Sequence, residues 1–294
     1  MTRAAKPLDD PLSDFAVRDA THLGATRRVY SLGSGPAVLI IAEMPGISPA
    51  VADFARRVAA RGATAVMPSL FGVDGRDPRP ENLGTLGAVT NLLGTMARAC
   101  ISREFAVLAT GKTSPVADWM RALAAEEHER CGGDGVGAVG MCFTGGFALA
   151  MATDERMLAP VLAQPSLPFP VTPRRARTLD IDDADLDAVK VRCAHGLQVM
   201  GLRFAGDRMS PRSRFEFLSE QLGDAFLGVE LPDSTANPDS PLPTPHSALT
   251  MDLIDEPGQP TYDALQQVLD FLADRLGVDR AADGPTGTPQ NPAT

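Results

Sequence analysis

No stretch of the 294-residue chain approaches the ~20 continuous apolar residues of a membrane-spanning helix, so a helical membrane protein is excluded. The N-terminal Met1–Asp10 carries Pro, Lys and Asp but no apolar core, unlike a secretory signal peptide. Cysteine is sparse. Cys100, Cys131, Cys142 and Cys193 are too widely and irregularly spaced for a disulfide framework or paired zinc ligands. Scattered free thiols without a leader predict a reducing, cytoplasmic setting. Positive charge is also in deficit: 27 Lys and Arg against 37 Asp and Glu give a net charge of −10, which argues against nucleic acid or an anionic membrane as partner. There is no internal repeat. Gly111-Lys112-Thr113 lacks the upstream glycine of a phosphate cradle, and no cofactor or metal is expected.

What is present is a regular alternation. Apolar runs at Ala37–Ala42, Thr64–Pro68, Val136–Met141, Ala159–Ala163, Leu197–Phe204 and Phe226–Leu231 predict strands buried on both faces. Helical stretches are expected at Pro49–Arg61, Thr85–Cys100, Pro115–Cys131, Phe143–Thr153, Pro211–Leu222 and Thr261–Leu276, with Arg27–Leu32 as an extra edge strand. Alternating strands and helices define an α/β fold with a mostly parallel, doubly wound sheet and right-handed crossovers. The expected organisation is an extension over 1–25, one α/β domain over 26–277 and a disordered polar tail over 278–294. Phe71–Arg79, Gln164–Asp187 and Pro232–Pro245 break the pattern as loops, the second read as a long surface excursion.

The most informative segment is Val136–Met151. An apolar run ends in Gly140-Met-Cys142 and passes directly into an Ala-rich helical stretch. This is the layout of a nucleophile elbow, with cysteine in the nucleophile position. The turn lifts Cys142 to the top of a sheet, and the helix start aims backbone N–H groups at the same point, favouring a thiolate and a developing oxyanion. A thiol used this way needs a base, and the base an orienting acid. Of the two histidines after Cys142, His195 precedes a strand and lies at the wrong end of the sheet. His246 closes the proline-rich loop after the last strand, where strand C-termini present their ligands. Asp207 follows the Leu197–Phe204 strand at its C-terminal end. The order nucleophile, acid, histidine selects Cys142, Asp207 and His246.

Blander readings exist for each. Cys142 could be a buried structural thiol, His246 a surface histidine, and Asp207 a helix cap. His22, His128 and His195 are read as structural or surface residues, and Trp119 as core beside Leu123. Arg174, Arg175 and Arg177 are expected to pair at the surface with Asp180, Asp182, Asp183 and Asp185.

Four motifs in order resemble the dienelactone hydrolase family, a cysteine-using branch of the α/β-hydrolase fold. They are Ile41-Ala-Glu-Met-Pro-Gly46, Val139-Gly-Met-Cys-Phe-Thr-Gly-Gly146, Phe204-Ala-Gly-Asp207 and His246-Ser-Ala, and the likeness extends over roughly residues 30–276. The resemblance implies a carboxylic ester or lactone hydrolase without cofactor, acting on a small molecule as a monomer or small homo-oligomer. It adds Glu43 as the acceptor of the thiol proton, and the backbone N–H groups of Met44 and Phe143 as the oxyanion hole. Two departures stand out. Thr144 occupies a position where the family usually has glycine, and is expected to narrow the space beside the thiol. The stretch His246–Thr250 lacks the arginine with which dienelactone-cleaving members bind a carboxylate, leaving Arg98 and Arg103 as candidates for a cation. A second reading keeps the triad but changes the substrate to a thioester or a carbon–carbon bond. A third is a non-catalytic binding relic with a blocked elbow.

Overall fold

The computed structural model describes residues 9–101 and 112–278. Its centre is one eight-stranded sheet built from β1 (Ala16–His22), β2 (Ala25–Gly33), β3 (Ala37–Ile41), β4 (Thr64–Pro68), β5 (Val136–Met141), β6 (Met157–Ala163), β7 (Val199–Phe204) and β8 (Phe226–Leu231). The spatial order is β1-β2-β4-β3-β5-β6-β7-β8. β1 and β2 run antiparallel to their neighbours, and from β4 through β8 every pair is parallel. The central strands are fully buried because helices cover both faces. α1 (Pro49–Ala60) and α8 (Pro260–Arg275) pack on one face, against Val38, Ile40, Val139 and Met141. On the other, α3 (Val116–Cys131), α4 (Gly145–Met151), α6 (Asp183–Ala194) and α7 (Arg212–Leu222) cover Leu39, Ile41 and Ala138. Alternate residues of one strand thus serve two cores, which is why the strands read as unbroken apolar runs. The remaining helices are α2 (Pro80–Ile101), kinked at Gly84, and the single turn α5 (Pro173–Ala176).

Helix α1 shows how locally these elements are specified. Ser48 Oγ accepts the Val51 N–H, Pro49 opens the first turn, and Val51, Ala52, Phe54, Ala55 and Val58 form one buried stripe.

Several expectations are revised. Arg27–Leu32 is not an edge strand, since the sheet continues outward to β1, which lies in the segment read as an extension. β1 is illegible in the sequence because Ala16–His22 is mostly exposed, with only Ala20 fully buried, and offers no apolar run. β8 is the opposite edge and is only half buried, not covered on both faces. Gln164–Asp187 is no surface excursion. Gln164, Ser166, Leu167, Leu179, Asp180 and Ile181 are buried, and the acidic run at its end opens α6, where Asp182 caps and Asp183 and Asp185 sit in the positive first turn. Arg177 and Asp185 do not pair within the segment. Arg177 pairs with Glu220, Asp185 with Arg121, and Asp180 is buried beside Ser114. Gly111, Arg103 and the tail after Val278 lie outside the described residues.

Candidate active site

β5 ends at Met141, and Cys142 turns the chain with a φ of +53°. This left-handed backbone is uncommon for a residue with a side chain, and the surroundings must hold it. Two glycines make room. A Cβ on Gly140 would lie 2.3 Å from the Thr144 carbonyl oxygen, and one on Gly145 would lie 2.5 Å from Pro165 Cα. Cys142 then opens a short 3-10 turn that leads into α4.

Thr144 does not obstruct the thiol. It is fully buried, and its Oγ1 donates toward the Ile41 carbonyl at 2.7 Å while accepting the Met141 N–H at 3.0 Å. The hydroxyl satisfies polar groups at the adjoining ends of β3 and β5, a task glycine cannot perform.

The structure brings Cys142, Asp207 and His246 together at the C-terminal ends of β5, β7 and the loop after β8. His246 Nδ1 donates to Asp207 Oδ2 at 2.7 Å. The other Asp207 oxygen accepts the Met209 and Ser210 N–H groups at 2.8 and 3.2 Å, which fixes the carboxylate. Toward Cys142, His246 Nε2 reaches Ser166 Oγ at 3.4 Å. Burial alone would push its imidazolium down, but the Cys142 charge and the Asp207 carboxylate outweigh this and hold its pKa well above the ordinary histidine value.

Ser166, absent from the sequence reading, sits between them. Its Oγ is 3.5 Å from Cys142 Sγ, 3.4 Å from His246 Nε2 and 3.1 Å from the Gln164 carbonyl oxygen. Asp252 was missed as well. One of its oxygens accepts the backbone N–H of His246 at 2.8 Å and of Ser247 at 2.7 Å, which pins the histidine loop. Ser166 follows the C-terminal end of a buried strand, where ligands gather in such sheets, so its position carried a signal. Asp252 offered none.

Glu43 is buried just past the end of β3. Its carboxyl accepts from Ser247 Oγ at 2.7 Å, from Thr250 Oγ1, and from Gln164 Nε2 at 3.3 Å. Burial pushes its pKa up, opposed by the two hydroxyl hydrogen bonds and the nearby His246 charge. Met44 and Phe143 follow Glu43 and Cys142 past the ends of β3 and β5, two hydrogen-bonded neighbours. Phe143 is buried, edge-on to Phe71 with ring centres 6.0 Å apart.

Two buried arginines hold the framework. Arg203 donates to the Ser210 and Ala205 carbonyls on either side of Asp207. Arg214 donates to the carbonyls of Pro165, Pro168, Arg175 and Thr178, which fastens the segment carrying Ser166. Burial lowers the Arg214 pKa to about 10, against the pull of Asp180 and Asp207. The other histidines are remote in role. His22 contacts Glu126, His128 the Gly133 carbonyl, and His195 the Val191 carbonyl at the end of α6. Trp119 is core, with Nε1 donating to the Ala25 carbonyl. The side chain of Arg98 and all of Arg103 fall outside the described residues. Among the described residues no cluster of three or more His, Cys, Asp or Glu could hold a metal ion, and no helix is long and apolar enough to cross a membrane.

A mostly parallel sheet with a sharp strand-to-helix turn at Cys142, and with Asp207 and His246 on the same side of the sheet, is the architecture of an α/β-hydrolase. Solved structures agree on the fold. The α/β-hydrolase GrgF from Penicillium sp. sh18 matches with TM-score 0.58 at 14% identity, covering 90% of this chain and 99% of that one. A dienelactone hydrolase-like promiscuous phosphotriesterase from metagenomic libraries matches with TM-score 0.54 at 14% identity, covering 90% and 100%. A cold-adapted esterase from an Arctic intertidal metagenomic library matches with TM-score 0.51 at 15% identity, covering 88% and 92%. No curated protein sequence matches. The model of the dienelactone hydrolase family matches residues 25–181, more than half of the chain. The protein belongs to that family and is a hydrolase of ester bonds.

Proposed function

We propose that the protein hydrolyses carboxylic esters or lactones through a Cys142–His246–Asp207 triad and a thioester acyl-enzyme, with Glu43 as auxiliary acid. The observation that supports this reading is the run of polar contacts from Asp207 to His246 Nδ1, and from His246 Nε2 through Ser166 Oγ to Cys142 Sγ, on a strand-to-helix turn. Cys142 loses its thiol proton to His246, directly or by way of Glu43, as Sγ attacks the carbonyl carbon, and the carbonyl electrons move onto oxygen. The Met44 and Phe143 N–H groups stabilise that charge, which exists only near the tetrahedral state. The tetrahedral state collapses to a thioester as the alkoxide or enolate leaves with a proton from His246. His246, oriented by Asp207, then accepts a proton from water as water attacks the thioester, and the thiolate is expelled.

Glu43 suits transient proton storage. Its buried site disfavours the carboxylate, while the Ser247 and Thr250 hydroxyls keep that form attainable. It takes the thiol proton and passes it to His246 as the sulfur attacks, so the thiolate need not stand exposed to oxidation at all times. A thiolate leaves the tetrahedral state more readily than an alkyl alkoxide, so activated enol and aryl esters are the favoured substrates.

The test is Cys142→Ala on an enol-lactone and on p-nitrophenyl acetate, with the wild-type enzyme quenched in acid for intact mass. The expected result is loss of turnover in the variant and an added acyl mass on Cys142 in the wild type. Undiminished turnover by Cys142→Ala overturns the reading.

A further inference from the structure

We propose that Ser166 is a further catalytic residue, a swivelling hydroxyl that donates to the Cys142 thiolate before acylation and to the Gln164 carbonyl once the sulfur is acylated. The inference rests on Cys142 being the nucleophile and adds a group whose contacts are to the two reacting atoms themselves.

The argument begins from the number of protons available. A serine hydroxyl has one hydrogen to donate and two lone pairs. Ser166 Oγ nevertheless has three polar neighbours, Cys142 Sγ at 3.5 Å, His246 Nε2 at 3.4 Å and the Gln164 carbonyl oxygen at 3.1 Å. Two of these, the sulfur and the carbonyl, compete for the single hydrogen. With His246 in its imidazolium form, Nε2–H is a donor and Oγ can accept from it. A thiolate outcompetes a neutral carbonyl, because hydrogen bonds to ionised acceptors are roughly twice as strong. Acylation removes the sulfur's charge, and the hydrogen then turns to Gln164. No bond is made or broken by Ser166 in this exchange. Only the O–H direction changes.

The local fold keeps both acceptors in reach. Gln164 has a φ of +38°, a left-handed backbone at the end of β6. Its side-chain amide is tied to Glu43, its backbone N–H donates to the Leu202 carbonyl at 2.7 Å, and the Ser166 N–H donates to the Cys142 carbonyl at 2.9 Å. The Arg214 guanidinium holds the intervening Pro165 carbonyl at 2.5 Å. Ser166 is fully buried, so bulk water does not compete for these contacts.

The charged groups around the pair are Asp207 behind His246, Glu43 past the end of β3, Asp252 beneath the histidine loop, and Arg214 and Asp180 on the far side of the 164–181 segment. None is removed by a change at Ser166.

The experiment reads the thiol rather than hydrolysis. Alkylation of Cys142 by iodoacetamide is followed against pH by peptide mass spectrometry, which separates it from the other three cysteines. In Ser166→Ala the acid limb should move up by about one pH unit, giving about tenfold slower alkylation below the midpoint. Ser166→Thr, which keeps the hydroxyl, should restore the wild-type midpoint. A purely structural role would lower the rate at every pH and leave the midpoint in place, and that result overturns the proposal. If the alanine variant does not fold, the pair Ser166→Thr and Ser166→Val differs by the same hydroxyl and gives the same two outcomes. Failure of the triad reading is distinguishable, since it appears as hydrolysis surviving in Cys142→Ala whatever the alkylation midpoint does.

Discussion

Thr144 Oγ1 reaches the carbonyl oxygen of Ile41 at 2.7 Å, joining the turn after Cys142 to the end of the adjacent strand. One hydroxyl thereby couples β5, which delivers Cys142, to β3, which delivers Glu43 and Met44.

Thr144→Val keeps the shape and removes the hydroxyl, leaving the Met141 N–H and the Ile41 carbonyl short of a buried partner. The expected loss is about 1–3 kcal/mol. Thr144→Ser should retain most of the stability. Urea denaturation of the three proteins measures the difference, and equal midpoints for valine and threonine would remove the coupling role.

Asp207→Asn should lower kcat by on the order of 10³-fold with a smaller change in KM, because the carboxylate both orients His246 and stabilises its charged form. A pH signature accompanies it. The folded His246 pKa lies above its unfolded value, so its stabilisation is complete below about pH 6.5 and is lost as pH rises through the folded value. The stability gap between wild type and Asp207→Asn should therefore be larger at pH 6 than at pH 10. Chemical denaturation at the two pH values decides this.

Asp180 is fully buried, and burial raises its pKa to about 7 despite the Arg214 charge. Among the described residues one of its oxygens has no hydrogen-bond partner, and it lies where a Cβ on Gly146 would stand. An acid raised in the folded state takes up protons on folding, so stability should fall as pH rises from about 4 toward 7. Asp180→Asn should flatten that slope and be the more stable protein at pH 8, by on the order of a few kcal/mol. Denaturation midpoints of both proteins across pH 4–8 test it, and parallel profiles would assign the slope elsewhere.

Arg214→Met should cost about 3–5 kcal/mol, because the carbonyls that its guanidinium satisfies become unpaired in the interior. The damage should centre on the segment that carries Ser166. Hydrogen exchange should quicken across 164–178 more than in β3 or β4. Uniform acceleration would mean that Arg214 supports the whole fold rather than this segment.

The legibility of the chain followed the range of the interactions involved. Strand cores such as Ala37–Ile41 announce themselves because burial on both faces demands a continuous apolar run. β1 and the start of α6 did not. The first is an exposed edge with mixed residues, and the second opens on acids that were read as a charge run although they are also the residues a helix N-terminus favours. Thr144 was misjudged for a related reason: a sequence shows its bulk beside the thiol, whereas its surroundings turn that bulk into a buried staple.

The sequence by itself determined most of the sheet, the elbow at Cys142 and the strand end that carries Asp207, because periodicity and turn chemistry are properties of a few consecutive residues. Only the tertiary structure decided that Ser166 and His246, 80 positions apart, would meet beside the sulfur, and that Ser247 and Thr250 would close over Glu43. Those contacts join loops from different strands. The packing of the sheet and its buried arginines sets where such loops converge, and local residue patterns do not encode it.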